Sequence, residues 1–190
     1  MSLPSSPREL RHHRQIDLRF YHRADGLYEV EGTLTDQKTV PFKRQLSEEP
    51  TPPGAFIHDI TVTLVFDGDL RVLDAKAQMR TTPFDICPQA ENTLAPLVGL
   101  TMTKGWNKNV RELLGGQQSC THIMELMGPL ATTAFQGLAP LRLAIINGPE
   151  GEALRQRKVD SCYAYGGTRS VVQRLWPHLH RDETTNTSGA

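Results

Sequence analysis

Cys120-Thr121-His122 is the triplet of this sequence that carries most chemistry. Ser119 just before it is a good N-cap, which puts Cys120 in the first turn of a helix, where unpaired N–H groups and the helix dipole favour thiolate over thiol. Such a position suits a reactive thiol or a metal ligand. His122 lies roughly 200° further round the helix at about 100° per residue, so the two side chains need not serve one target. His58-Asp59 opens a strand after a Pro-rich loop, and because neighbouring strand residues point to opposite faces, only one of the two can face the helices. Cys87 sits where strands give way to helices, near Arg80 and Asp85, either of which could hold an anion or orient a histidine.

His58, Asp59, Arg80, Cys120 and His122 form a candidate catalytic set. In it His58 or His122 takes a proton, Asp59 fixes the tautomer, Arg80 holds a carboxylate or phenolate, and Cys120 donates a proton or bonds covalently. A metal would instead draw on Asp59, Cys87, Cys120 and His122, with zinc or iron the ions in question, although no pair has the close spacing of a zinc finger or ribbon. Each residue also has a structural use: Cys87 as core filler, His122 as a packed side chain, Asp59 as a strand-end turn former. His12-His13 with Arg8, Arg11 and Arg14 reads as a solvated basic arm, and Asp160-Ser161-Cys162 as a second acid–thiol pairing that joins the site only if its segment is a strand beside the others. There is no Gly-rich phosphate loop, serine elbow or dinucleotide fingerprint, so neither nucleotide chemistry nor an organic cofactor is expected.

The elements that must position these residues follow from periodicity. Ile16 to Arg23 alternates, Ala24-Asp25-Gly26 turns, and Leu27 to Thr35 alternates again with Tyr28, Val30, Gly32 and Leu34 on one face, which makes a hairpin. After the proline-rich connection 48–54, Ile60, Val62, Leu64 and Phe66 share a face, Asp67-Gly68 turns, and Leu70 to Thr81 returns. The clearest helix begins at Ser119 and carries Ile123, Leu126, Met127, Leu130, Ala134, Phe135 and Leu138 on one stripe. Weaker helical signals cover Pro88 to Leu100 and Trp106 to Leu114, the second stopped by Gly115-Gly116. The segment from Val159 to Leu175 is ambiguous, with Asp160 to Tyr165 readable as an extra strand and Thr168 to Leu175 as helix. Strands first and helices after them predict an α+β fold, an antiparallel sheet of two hairpins with helices on one face.

The chain has 190 residues, the size of one domain, expected over 15–180 between a flexible arm at 1–14 and a tail at 181–190. Lys plus Arg balance Asp plus Glu at 21 each, so no net field draws nucleic acid or an anionic membrane. No apolar run approaches a membrane span and the start lacks a secretory pattern, which points to the cytoplasm. Three cysteines are too few and too odd in number for a disulfide framework. The partners expected are a small-molecule substrate and, at most, a second copy of the chain as a homodimer.

His13 to Lys38, with Tyr21-His22-Arg23-Ala24-Asp25-Gly26-Leu27-Tyr28 and Leu34-Thr35-Asp36, together with Cys120-Thr121-His122, resembles a bacterial family of domains of unknown function. More distantly, Asp59 to Met79, Cys87, and Ser119 to Phe135 resemble the order of elements in NifU-type iron–sulphur cluster scaffolds, which implies a NifU/SufE-like fold with Asp59, Cys87 and Cys120 at ligand positions. The scaffold's first cysteine has no counterpart here, since Ile57 and His58 stand at its place, and His122 follows Cys120 where the scaffold's histidine precedes its cysteine. The leading functional expectation is a lyase or hydrolase working by acid–base chemistry without an organic cofactor, an aromatic substrate losing a small aldehyde being one case. The alternatives are a zinc, iron or iron–sulphur carrier, and a structural or interaction subunit.

Overall fold

A computed structural model describes residues 6–182. Of the two ends expected to be flexible, residues 1–5 and 183–190 lie outside the described part. The chain divides into two compact units, Met1–Gly137 and Leu138–Ala190, and each is described by itself.

The first unit is α+β. Strands β1 (His12–His22), β2 (Tyr28–Lys38), β3 (Phe56–Phe66) and β4 (Val72–Thr81) make one antiparallel sheet in the order β1-β2-β3-β4, a meander in which each strand pairs with its neighbour in sequence. The first turn closes through the Arg23 N–H to the Leu27 carbonyl at 2.9 Å, with Gly26 at φ +83° where a side chain would be strained. In the second, Asp67 Oδ1 accepts the N–H groups of Asp69 and Arg71, each at 2.9 Å. Alternation then sorts the strands into two faces: Val30, Leu34, Ile60, Val62, Leu64 and Phe66 are fully buried on the inner one, while Asp17, Thr33 and Thr61 share the outer one in register.

Helix α1 (Trp106–Leu114) follows its expected bounds and ends at Gly115-Gly116, with Gly116 at φ +63°. Helix α2 (Thr121–Gly137) lies over the inner faces of β1 to β3 and buries Ile123, Leu126, Met127, Leu130 and Ala134. That seat depends on Gly32, because a Cβ there would stand 2.9 Å from Leu18 Cδ2 and 3.0 Å from Leu130 Cδ2. The Trp106 indole N–H donates to the Met127 carbonyl at 2.9 Å and ties α1 to α2.

Several expectations change. Strand β1 begins at His12, four residues before Ile16, so residues 12–14 are strand and not arm. The expected helix over Pro88 to Leu100 is two short 3-10 turns, Cys87–Thr93 and Ala95–Leu97. Pro96 lacks the N–H a continuing helix needs and disfavours the α region before it. Phe135, assigned to the buried stripe of α2, is 37% exposed.

The second unit contains α3 (Ala139–Asn147), α4 (Glu152–Lys158) and α5 (Ser170–Leu175). Arg155 Nη1 donates to the carbonyls of Ile146 at 2.7 Å and Gly148 at 3.2 Å, pinning the end of α3 to α4, and Tyr165 stacks on Trp176 with centroids 5.6 Å apart. Asp160 to Tyr165 is a turn and not a strand: the Asp160 N–H donates to the Tyr165 carbonyl at 2.8 Å, with Asp160 at φ +61°. No helix among the described residues is long and apolar enough to cross a membrane.

Candidate active site

Register assembles the site. Arg14 of β1, Asp36 of β2 and His58 of β3 stand directly opposite one another, in a single row across three strands on the inner face. An aspartate at an inward position must be paired to be tolerated. Asp36 is 1% exposed, and both its oxygens are taken: Arg14 Nε donates to Oδ1 at 2.9 Å and Arg14 Nη2 to Oδ2 at 2.8 Å, a bidentate clamp. His12 Nε2 reaches Oδ1 at 2.9 Å, and His58 Nδ1 reaches Oδ2 at 3.0 Å. Arg14 extends its other nitrogen, Nη1, to Glu125 of α2 at 2.6 Å, so the strand is tied to the helix as well.

Helix α2 delivers the rest. Its first helical residue is Thr121, which leaves Cys120 in the cap position, with its carbonyl accepting the Met124 N–H at 3.0 Å. Ser119, expected to be the cap, has its hydroxyl 2.6 Å from that of Thr93 instead. Cys120 Sγ therefore occupies the place of a capping oxygen, where the backbone N–H groups of His122 and Ile123 favour its thiolate. His122 Nδ1 lies 3.7 Å from Cys120 Sγ, its Nε2 lies 3.9 Å from Asp36 Oδ2, and its ring packs on that of His58 with centroids 3.9 Å apart. The two side chains of the triplet do serve one target, because a cap residue and the second residue of the helix are not separated by regular helical rotation.

The electrostatics follow from these contacts. Burial pushes the Asp36 carboxyl up, but the Arg14 hydrogen bonds and charge, with the bond from His58, outweigh it and hold the group at about 2. The Arg14 guanidinium is held correspondingly higher by Asp36. His58 goes the other way: burial lowers its pKa below the usual imidazole range, and the partial support of Asp36 does not restore it. Burial also pushes the Cys120 thiol up, yet the His122 contact and the two backbone N–H groups bring it below the ordinary thiol value.

Above this row opens a cleft of about 570 Å³, lined at its polar end by His58, His122, Cys120 and Cys87 and on its flanks by Met79, Phe84, Ile86, Thr93 and three glutamines, Gln89, Gln117 and Gln118. No lysine, arginine, aspartate or glutamate is among the lining residues.

A family model described as a protein of unknown function, DUF2889, matches residues 12–136. The chain belongs to the DUF2889 family. No curated protein and no solved structure matches it.

This DUF2889 chain does not gather the whole set expected from its sequence. Asp59 and Arg80 form a bidentate pair, at 2.9 and 2.6 Å, on the outer face of the sheet, with Arg80 also on the Thr61 hydroxyl at 2.8 Å. Residue 59 must oppose residue 58 on a strand, so neither Asp59 as tautomer holder nor Arg80 as anion clamp shares a face with His58. The metal set of Asp59, Cys87, Cys120 and His122 is broken for the same reason. Asp36 takes the place assigned to Asp59. Asp160 and Cys162 belong to the second unit, where Asp160 accepts the Gly167 N–H at 2.9 Å and the Arg181 guanidinium at 2.7 Å, and Cys162 is exposed.

Among the described residues of the DUF2889 match, one group could hold a cation: Asp36, His58 and His122, whose ligand atoms lie within 4.8 Å of one another. A carboxylate offers about four lone-pair directions, and Arg14 twice, His12 and His58 already occupy them. A metal would have to displace the Arg14 clamp and sit beside its charge. The same atoms are better arranged to hold and pass a proton. Asp36, His12 and Arg14, which the expected set lacked, were signalled by strand phase: each falls on the inward side of its strand, in step with Ile16 and Leu18 or with Val30 and Leu34.

Proposed function

We propose that the cleft is the active site of a small-molecule enzyme, a lyase or hydrolase that works by acid–base chemistry without an organic cofactor. The observation that carries this reading is the Asp36–His58 pair, a buried carboxylate clamped by Arg14 and bonded to Nδ1 of an imidazole that faces the cleft. An ionised Asp36 accepts the Nδ1–H of His58, which leaves the lone pair on Nε2 for a substrate proton. Because Arg14 holds Asp36 ionised, the carboxylate stabilises the imidazolium without taking its proton. His122 and Cys120 stand beside His58 and can return a proton to a leaving group.

The uncharged lining favours a neutral substrate, and Met79, Phe84 and Ile86 offer it an apolar wall. A neutral aromatic compound that loses a small aldehyde after deprotonation is one case of this chemistry. We place the enzyme in the cytoplasm, where its three free cysteines would stay reduced. The carrier reading rests on the Asp36, His58 and His122 group, and elemental analysis of the purified chain tests it: a metal held at one per chain and lost in His58→Ala would favour it.

The enzyme reading is tested with a panel of neutral esters, amides and β-hydroxy carbonyl compounds, comparing the wild type with His58→Ala. Loss of a general base is expected to lower turnover about 10²- to 10⁴-fold with the fold intact. Equal turnover by the variant on every accepted compound would overturn the proposal.

A further inference from the structure

We propose that Cys120 is a covalent nucleophile toward neutral carboxylic esters, with His122 as its proton partner and Asp36 as the charge behind His122. This inference rests on the cleft being an active site and assigns it a substrate class. Three facts of geometry support it. The sulphur lines the cleft and contacts His122 Nδ1 at 3.7 Å, while the opposite nitrogen of that ring, Nε2, points to the buried Asp36 carboxylate at 3.9 Å. Thiol, imidazole and carboxylate thus stand in series, as in acyl-transfer enzymes, with Asp36 acting on His122 through its charge because its lone-pair directions are already taken. Second, the sulphur sits at the cap of α2, a helix of 17 residues, whose unpaired N–H groups and dipole favour a thiolate where it is formed. Third, the cleft supplies no fixed cation to bind a substrate carboxylate, whereas its glutamine amides suit an uncharged ester.

The step balances without an oxidant or a second substrate. The Cys120 proton passes to His122, the sulphur forms a bond to the ester carbonyl carbon, and the bond from that carbon to the alkoxy oxygen breaks. The departing alcohol takes the proton from His122, which leaves a thioester on Cys120. Water, deprotonated by His58, then adds to the thioester carbon, the carbon–sulphur bond breaks, and His58 gives that proton to the departing Cys120 thiolate as the carboxylic acid leaves, which restores both groups. His58 and His122 thereby have separate tasks, one in deacylation and one in acylation.

The test uses the full chain with p-nitrophenyl acetate and p-nitrophenyl butyrate as probes, following nitrophenol release and mapping the acyl group by mass spectrometry of the quenched protein. The expected result is an initial burst with one acyl group on Cys120, accumulation of that species in His58→Ala, and acylation slowed about 100-fold in His122→Gln. Cys120→Ser keeps a capping oxygen at the helix start, so it folds, and it is expected to lose the burst. An acyl group that appears on Cys87 or Cys162 as fast as on Cys120, or turnover unchanged in Cys120→Ser, overturns the proposal. If turnover survives in Cys120→Ser and fails in His58→Ala, the covalent step is wrong and the acid–base reading stands. If it survives in both, both are wrong.

Discussion

Replacing Asp36 by Asn keeps the shape of the side chain and removes its charge, so the variant resembles the wild type with Asp36 protonated. A carboxyl held at about 2 in the folded protein, against 3.8 in an open chain, contributes about 2 to 3 kcal/mol at 1.36 kcal/mol per decade. The sign is fixed by the direction of the shift. The folded state binds the proton less readily than the unfolded one, so the contribution is complete above about pH 4 and is lost as pH falls through 2. Asp36→Asn should therefore lower the urea midpoint at pH 7 by about 1 M, taking a slope of about 2 kcal/mol per M. The difference between the two proteins should shrink steadily between pH 4 and pH 2. Urea unfolding of both at a series of pH values measures it. A difference that stays constant over that range would refute the reasoning, because it would mean that Asn disturbs the packing and not the charge.

Below pH 6.5 the half-buried His58 resists a proton that the unfolded chain accepts, so stability should fall with decreasing pH there, and the His58 Cε1–H resonance followed by NMR should titrate below the usual imidazole range. Alkylation of Cys120 by iodoacetamide should rise through a pH midpoint below the ordinary thiol value of 9.0, and that midpoint should move up in His122→Gln; an unmoved midpoint would deny the contact its role. Asp59→Asn should leave turnover unchanged and cost about 1 kcal/mol or less in unfolding, since its partner Arg80 is solvent-exposed. Gly137→Ala should destabilise more than Gly32→Ala, because its Cβ would overlap the Phe20 ring whereas at Gly32 it meets the ends of two leucines, a difference that thermal unfolding would show.

Much of the sheet was legible because inward residues such as Val30, Leu34, Ile60 and Leu64 alternate strictly, and a period of two has one structural meaning. The α1 helix was legible from its Gly115-Gly116 stop. What was missed has a common cause: polar residues at inward positions break the apolar pattern that defines a strand. Arg14 and His12 extend β1 beyond Ile16, and their charge made them read as a solvated arm. Asp36 ended the visible alternation of β2 for the same reason, although it keeps the phase of Leu34. His58 and Asp59 could not be told apart without the register that sends one to each face, and Asp59 drew Arg80 away with it. Pairing across strands is long-range information, and periodicity within a segment does not contain it.

The knot around Asp36 also has a consequence for the order in which the protein comes into being. Its members are drawn from residue 12 at the start of β1 to residue 125 in α2, nearly the full width of the family match. A ribosome extruding this chain exposes His12, Arg14 and Asp36 long before Glu125, His122 and Cys120 exist to cover them. The hairpins can pair early through neighbouring contacts, but the carboxylate stays hydrated until the helix arrives. Completion of the cluster thus waits for α2, and a chain cut short before it would have neither Cys120 and His122 nor the cleft they line.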